Sequence, residues 1–250
     1  MSLTSDKDED GFKIIASYGK KVVGCLDKQG GPTEFETSLE VPFRQAVDTN
    51  TERSVLYVTG PSGSGKSYYT KQYIEDYHKK FPKRNVYVFS SLSECATLDK
   101  LKYLKRIKVK EDKFLNSDLS AKDFAESLCV FDDCDVISNK PVKKQIFDVL
   151  NSILETGRHF KCSVVFTSHN ANMGLETKKI LTESHSITIY PRNMGAKPLK
   201  YLLSEYLGFD KKEIGKLKRC SGRWVTIMKT TYPMTFFDQQ KVSVKMMAED

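Results

Sequence analysis

Along the chain, short runs of consecutive apolar residues alternate with longer stretches in which apolar positions recur every three or four residues. The runs fall near 54–59, 86–90, 127–132, 162–168 and 186–190, each the length of a strand buried on both faces. Helical periodicity separates them. Residues 66–80 read as a helix leaving the first run. Beyond Asn139, Pro141 suits a first helical turn, and Ile146, Val149, Leu150, Ile153 and Leu154 form one apolar stripe that presses on the sheet. The alternation predicts an α/β fold, a mostly parallel central sheet flanked by helices. Outside it, Lys21 to Asp27 reads as a strand, Gly30-Gly31-Pro32 as a turn, and the first ten residues as a mobile end. Gly222 to Ile227 reads as a late strand in which Trp224 is a partly buried anchor.

A chain of 250 residues accommodates one substantial α/β domain with a small appendage. The pattern divides it into an N-terminal extension over 1–50, packing on or near the core, a central domain over 51–230 and a C-terminal tail over 231–250. No apolar stretch is long enough to cross a bilayer, and the acidic start through Asp10 lacks the order of a secretory signal. Cys25, Cys95, Cys129, Cys134, Cys162 and Cys220 form no C-x-x-C pair, so buried reduced thiols are expected rather than zinc or disulfides.

The formal charge of +8 favours a polyanionic partner. The cations concentrate in two regions. One holds Lys100, Lys102, Lys105, Arg106, Lys108, Lys110 and Lys113. The other holds Lys197, Lys200, Lys211, Lys212, Lys216, Lys218, Arg219 and Arg223. Each is either a phosphate-contacting surface or an ordinary solvated face, and the spacing carries no base code.

The chemistry begins where the first strand ends. Gly60-Pro61-Ser62-Gly63-Ser64-Gly65-Lys66-Ser67 matches G-x-x-x-x-G-K-[ST] in full, between a strand and a helix. Gly63 and Gly65 allow the tight path that turns successive amides inward, and the helix start adds partial positive charge. Lys66 is suited to the β and γ phosphates of a nucleoside triphosphate and Ser67 to Mg²⁺, with Tyr68 completing the nucleotide-contacting segment. The second signal is Leu128-Cys129-Val130-Phe131-Asp132-Asp133, a buried strand delivering two acids to its carboxyl end, where open α/β sheets collect ligands. Asp132 is assigned to metal holding and Asp133 to the attacking water, since adjacent strand-end residues point differently. Asp135 reads as a turn or cap residue.

Residues 162–168 should form the strand beside the acid-bearing one, bringing Thr167, Ser168, His169 and Asn170 toward the γ phosphate. These either sense phosphate and orient water or simply cap the strand. His169 has the preferred position, whereas His78, His159 and His185 read as structural. Arg158, before that strand, is either a surface ion-pair partner or a guanidinium supplied to a neighbouring subunit.

In GPSGSGKS at 60–67, LCVFDD at 128–133, GRHF at 157–160 and VVFTSHN at 164–170, the chain resembles the FtsK-HerA class of P-loop ATPases. It is most similar to the genome-packaging ATPases of poxvirus-type large DNA viruses. The resemblance spans about residues 50–230 and implies a RecA/FtsK-HerA-like P-loop NTPase fold. It further implies ATP and Mg²⁺ bound through Lys66, Ser67 and Asp132, Asp133 as water activator, and Arg158 acting in trans. Asp133 stands where related motors often carry glutamate, and Ser168, His169 and Asn170 stand where they commonly end the sensor strand in glutamine. The implied activity is ATP-driven movement of double-stranded DNA by a homo-oligomeric ring, pentameric or hexameric. A capsid portal or membrane-associated capsid protein is the implied further partner, and a virion or viral assembly site in the host cytoplasm the implied location. Two alternatives share the first motif: an ATP-gated DNA-binding or capsid-assembly subunit that hydrolyses weakly, and a nucleoside or nucleotide kinase.

Overall fold

A computed structural model describes residues 13–18, 21–26, 35–36, 52–172, 174–230 and 234–244. The expected turn at Gly30-Gly31-Pro32 and the first ten residues lie outside them. In chain order the first strands are β1 (Lys13–Tyr18), β2 (Lys21–Leu26) and β3 (Phe35–Glu36), with β1 and β2 paired antiparallel. The chain then divides into two compact units, Val47–Ser184 and the combination of Met1–Ala46 with His185–Asp250.

The Val47–Ser184 unit contains β4 (Val55–Thr59), α1 (Lys66–Lys80), β5 (Asn85–Phe89), β6 (Leu104–Ile107), α2 (Asp112–Leu115), β7 (Ser127–Phe131), α3 (Lys140–Thr156), β8 (Ser163–Ser168) and α4 (Leu175–Glu183). Its strands run β4-β8-β7-β5-β6, every neighbour parallel. Every residue of β4, β7 and β8 is buried, as the unbroken apolar runs require of a sheet covered on both faces. The one strand concealed from the pattern is β6, inside the first basic run. It lies at the sheet edge, where Lys105 and Arg106 discourage pairing with another chain.

The α3 helix follows from its sequence signals. The Asn139 side chain accepts from the Val142 amide at 3.1 Å, and Pro141 occupies the first turn. Its buried stripe of Val142, Ile146, Val149, Leu150, Ile153 and Leu154 extends the predicted one by a turn. At the far end Arg53 donates to the Ile153 and Leu154 carbonyls, both at 3.1 Å, and to the Cys162 carbonyl at 3.0 Å. Gly157 is required there, because a Cβ would stand 2.3 Å from the Ile153 carbonyl oxygen.

The second unit continues with β9 (Ser186–Ile189), α5 (Ala196–Lys200), α6 (Lys211–Lys218), β10 (Val225–Met228), β11 (Thr235–Phe237) and β12 (Lys241–Val244). Strands β9, β10, β11, β12 and β3 pair successively, all antiparallel. Trp224 is buried and meets Phe237 edge-on. Cys129, Cys134, Cys162 and Cys220 are buried free thiols. No described helix is long and apolar enough to cross a membrane.

Candidate functional site

Parallel register brings the carboxyl ends of β4, β8 and β7 side by side, with β8 between the loop-bearing and acid-bearing strands. The loop after β4 is anchored at once, for the Gly60 amide donates to the Ser168 carbonyl at 3.1 Å. Gly63 (φ 73°) and Gly65 (φ 109°) then take left-handed conformations that other L-residues rarely adopt. Nothing lies within 4 Å of where a Gly63 Cβ would point, so backbone geometry rather than space selects glycine there. Lys66 opens α1 with its side chain buried: Nζ donates to the Gly60 carbonyl at 2.9 Å and stands 3.5 Å from Asp133 Oδ1. Ser64 is 2% exposed and its hydroxyl has no hydrogen-bond partner. A buried orphan hydroxyl in a glycine-rich loop at a helix start suits an anionic ligand. Tyr68, in contrast, is exposed on the first turn of α1.

Across from the loop, the Asp132 amide extends the ladder by donating to the Phe89 carbonyl at 2.9 Å, which carries the Asp132 side chain into the interior. Burial, reinforced by the neighbouring Asp133 charge, pushes the Asp132 carboxyl up to about 6. Asp133 leaves the strand with φ 48°, a left-handed conformation that aspartate tolerates better than most residues. The consequence departs from simple alternation, because both acids reach one hydroxyl. Thr167 Oγ1 accepts from the Asp133 amide at 2.8 Å and lies 3.2 Å from Asp132 Oδ1 and 3.0 Å from Asp133 Oδ1. Its single proton serves one carboxylate at a time.

His169 closes the other side, with Nε2 3.3 Å from Asp133 Oδ2. Its own amide donates to Asp135 Oδ2 at 2.9 Å, so the residue expected only to shape a turn also fixes the histidine. Burial raises the Asp135 carboxyl above its ordinary value, and Oδ1 is buried without a partner. Ser168 faces the sheet instead: its hydroxyl meets Tyr57 Oη at 2.7 Å and Thr59 Oγ1 at 3.1 Å. Burial raises the Tyr57 phenol to about 12, leaving it a neutral partner.

The residues the sequence underweighted are thus Thr167 and Asp135. Thr167 was one of four polar strand-end residues with no signal of its own, and Asp135 depends on two strands meeting. Arg158 is not brought to the loop of its own chain. It is exposed in the turn that precedes β8, whereas the site lies beyond the opposite end of that six-residue strand, a separation of about 20 Å. The oxygen donors of Ser67, Asp132 and Asp133 suit a hard divalent cation, and a cation beside Asp132 would offset the burial that raises its carboxyl.

No protein-family model matches the chain. Uncharacterized protein V3 of the Sputnik virophage is 41% identical over 242 residues, covering 94% of this chain and 95% of that protein. The chain belongs to the V3 family. Among solved structures it is similar to the genome-packaging NTPase B204 of Sulfolobus turreted icosahedral virus 2 in complex with AMPPCP. That match has 13% identity and a TM-score of 0.51, over 76% of this chain and 98% of the other. It is also similar to B204, the DNA-packaging ATPase of Sulfolobus turreted icosahedral virus, with 14% identity and a TM-score of 0.50 over 76% and 99%. At these identities the likeness is one of fold. The V3 family chain therefore shares the α/β fold of the B204 NTPases, in agreement with the P-loop NTPase fold expected from its motif order.

Proposed function

We propose that this protein is an ATP-driven double-stranded DNA translocase that packages a viral genome into a preformed capsid as a homo-oligomeric ring. The observation that carries the reading is the meeting of Lys66, Asp133, Thr167 and His169 at the carboxyl ends of three adjacent strands, beside a loop with a buried unpartnered hydroxyl. The virophage relative and the B204 fold support the viral packaging context.

In this mechanism the amides of Gly63, Gly65, Lys66 and Ser67 and the Lys66 ammonium take the triphosphate. Lys66 exchanges its contacts with the Gly60 carbonyl and Asp133 for phosphate oxygens, a charge-assisted replacement of equal or greater strength. That exchange uncovers Asp133, whose carboxylate orients the attacking water and accepts its proton. Thr167 holds the Asp133 amide and carboxylate in place, and His169 Nε2 restrains the second carboxylate oxygen. Ser67 and Asp132 would hold the Mg²⁺, which supplies neutralising charge to the phosphate oxygens. Arg158, remote from its own loop, acts on the site of a neighbouring subunit, where a guanidinium stabilises the transferring phosphoryl group.

The Asp133→Asn variant tests the site. ATP binding should survive within a few-fold while hydrolysis falls on the order of 100-fold or more. Equal loss of both in a folded protein would remove Asp133 from the water-activating role. A second reading, an ATP-gated DNA-binding subunit, is favoured by one feature: Asp133 is already engaged by both Lys66 and His169. Wild-type protein that binds DNA in response to ATP without releasing phosphate would establish that reading instead.

A further inference from the structure

The two basic regions of the sequence have different fates in the fold. In the first, Arg106 pairs with Asp99 at 2.6 Å and Lys108 with Glu111 at 2.9 Å, while Lys105 lies over the Tyr87 ring. These contacts engage three of that run's seven cations within the chain itself, at and beside the edge strand β6.

Around α6, four cations cluster without such contacts. Gly215 sits in the middle of the helix, and the four positions that surround it on a helical surface, three and four residues away in each direction, are Lys211, Lys212, Lys218 and Arg219. All four are exposed, and none forms an ion pair with a described residue. The nearby carboxylates are committed elsewhere. Asp210 accepts from the Glu213 amide at 2.7 Å, and Glu213 accepts from the Asp210 amide at 2.8 Å, a reciprocal cap at the helix start. Leu217 turns the opposite side of the helix into the interior.

Gly215 itself has no internal explanation. A Cβ there would meet only an Arg219 guanidinium nitrogen, at 3.9 Å, so space within the chain does not demand glycine. Glycine weakens a helix interior relative to alanine, and a cluster of unpaired cations adds self-repulsion. Both costs are offset when an anion approaches the bare backbone at the centre of the four cations.

We propose that this face of α6, centred on Gly215, is the surface that grips the phosphate backbone of duplex DNA. The inference rests on the translocase reading above and assigns its DNA contact to named residues. The cations touch phosphates rather than bases, so the grip is independent of sequence and steeply dependent on salt.

The test measures binding of a labelled mixed-sequence duplex by fluorescence anisotropy, between about 50 and 200 mM salt, for the full-length chain. Three variants are compared with wild type: K212Q/K218Q/R219Q, the equally discharged K105Q/R106Q/K108Q, and Gly215→Leu. The helix triple should lose on the order of 100-fold in affinity, and its slope of log affinity against log salt should fall by about 2.7, which is 0.9 for each phosphate contact removed. The first-region triple should change affinity less than about threefold, because its cations are already engaged. Gly215→Leu should weaken binding about tenfold through steric exclusion and leave the slope unchanged. Equal losses in the two triples, or no loss in the helix triple, would overturn the assignment. So would a helix triple that still binds DNA yet no longer sediments with phosphatidylserine vesicles, since the face would then serve a membrane. Wild-type protein that hydrolyses ATP but binds no DNA would defeat the translocase reading itself, a distinguishable failure.

Discussion

Replacing Thr167 with valine removes one hydroxyl from the centre of the site while nearly keeping the shape of the side chain. That hydroxyl is the acceptor for the Asp133 amide at 2.8 Å and the donor shared by the Asp132 and Asp133 carboxylates. A backbone amide deprived of its partner costs about 1–3 kcal/mol, and a hydrogen bond to a charged group contributes about 1.5–3 kcal/mol. The two are not additive, since the same strand end can relax around both, so the net loss is about 2–4 kcal/mol. For a chain of this size such a loss lowers Tm by roughly 5–15 °C. The larger effect is on turnover. Asp133 holds a left-handed backbone conformation that Thr167 fixes from both its amide and its carboxylate, and a displacement of about 1 Å in a water-orienting group costs roughly 100-fold in rate. Calorimetry combined with steady-state ATP hydrolysis therefore has a definite expectation: kcat falls about 100-fold, KM changes little, and Thr167→Ser restores most of both losses. A valine variant that is destabilised yet turns over normally would refute the positioning argument, because Thr167 would then matter only to the fold.

The raised Asp132 carboxyl makes a pH prediction. Its value moves from the ordinary 3.8 to about 6 on folding, so the protonated form is favoured in the folded state and stability is lost as pH rises from about 4 through 6. The two-unit shift corresponds to about 3 kcal/mol at neutral pH. Ligand-free Asp132→Asn should consequently melt higher than wild type at pH 7.5, with the gain shrinking as pH falls through 6 toward 4; a pH-independent difference would contradict it. Lys66→Ala should weaken ATP binding on the order of 100-fold, the loss of one or two charge-assisted bonds, as read by fluorescent-nucleotide titration. Arg158→Ala should leave ATP binding intact while hydrolysis falls on the order of 1,000-fold. In mixed assemblies wild-type neighbours should rescue at only one side of each mutant subunit, and hydrolysis unaffected by the identity of neighbours would count against a trans role.

Much of this site was legible because its parts are local in sequence. The loop, the helix beginning at Lys66 and the capped α3 helix each carry their own signals over a few residues: glycines at positive φ, Asn139 at a helix start, an apolar stripe at helical spacing. The adjacent strands at 127–131 and 163–168 were also readable, as unbroken apolar runs. What escaped depends on contacts made across the sheet. The shared hydroxyl of Thr167 arises because the left-handed turn at Asp133 brings the second acid back toward β8, an outcome no spacing rule encodes. Asp135 meets the His169 amide 34 residues later only because β7 and β8 are neighbours. Likewise β12 finds β3 across some two hundred residues of sequence, and β6 is masked by the charges that protect a sheet edge. The two basic regions look alike as strings of lysines, and only the fold shows that Arg106 and Lys108 of the first pair beside a sheet edge while four cations of the second surround Gly215 on one helix.

The central claim is that the nucleotide site drives a DNA-handling assembly, and one measurement addresses it directly. ATP hydrolysis by purified protein should be followed with and without long double-stranded DNA while the oligomeric mass is determined in the same buffer. The account predicts a ring-sized species whose hydrolysis is stimulated by DNA. A monomer whose turnover is indifferent to DNA would contradict it.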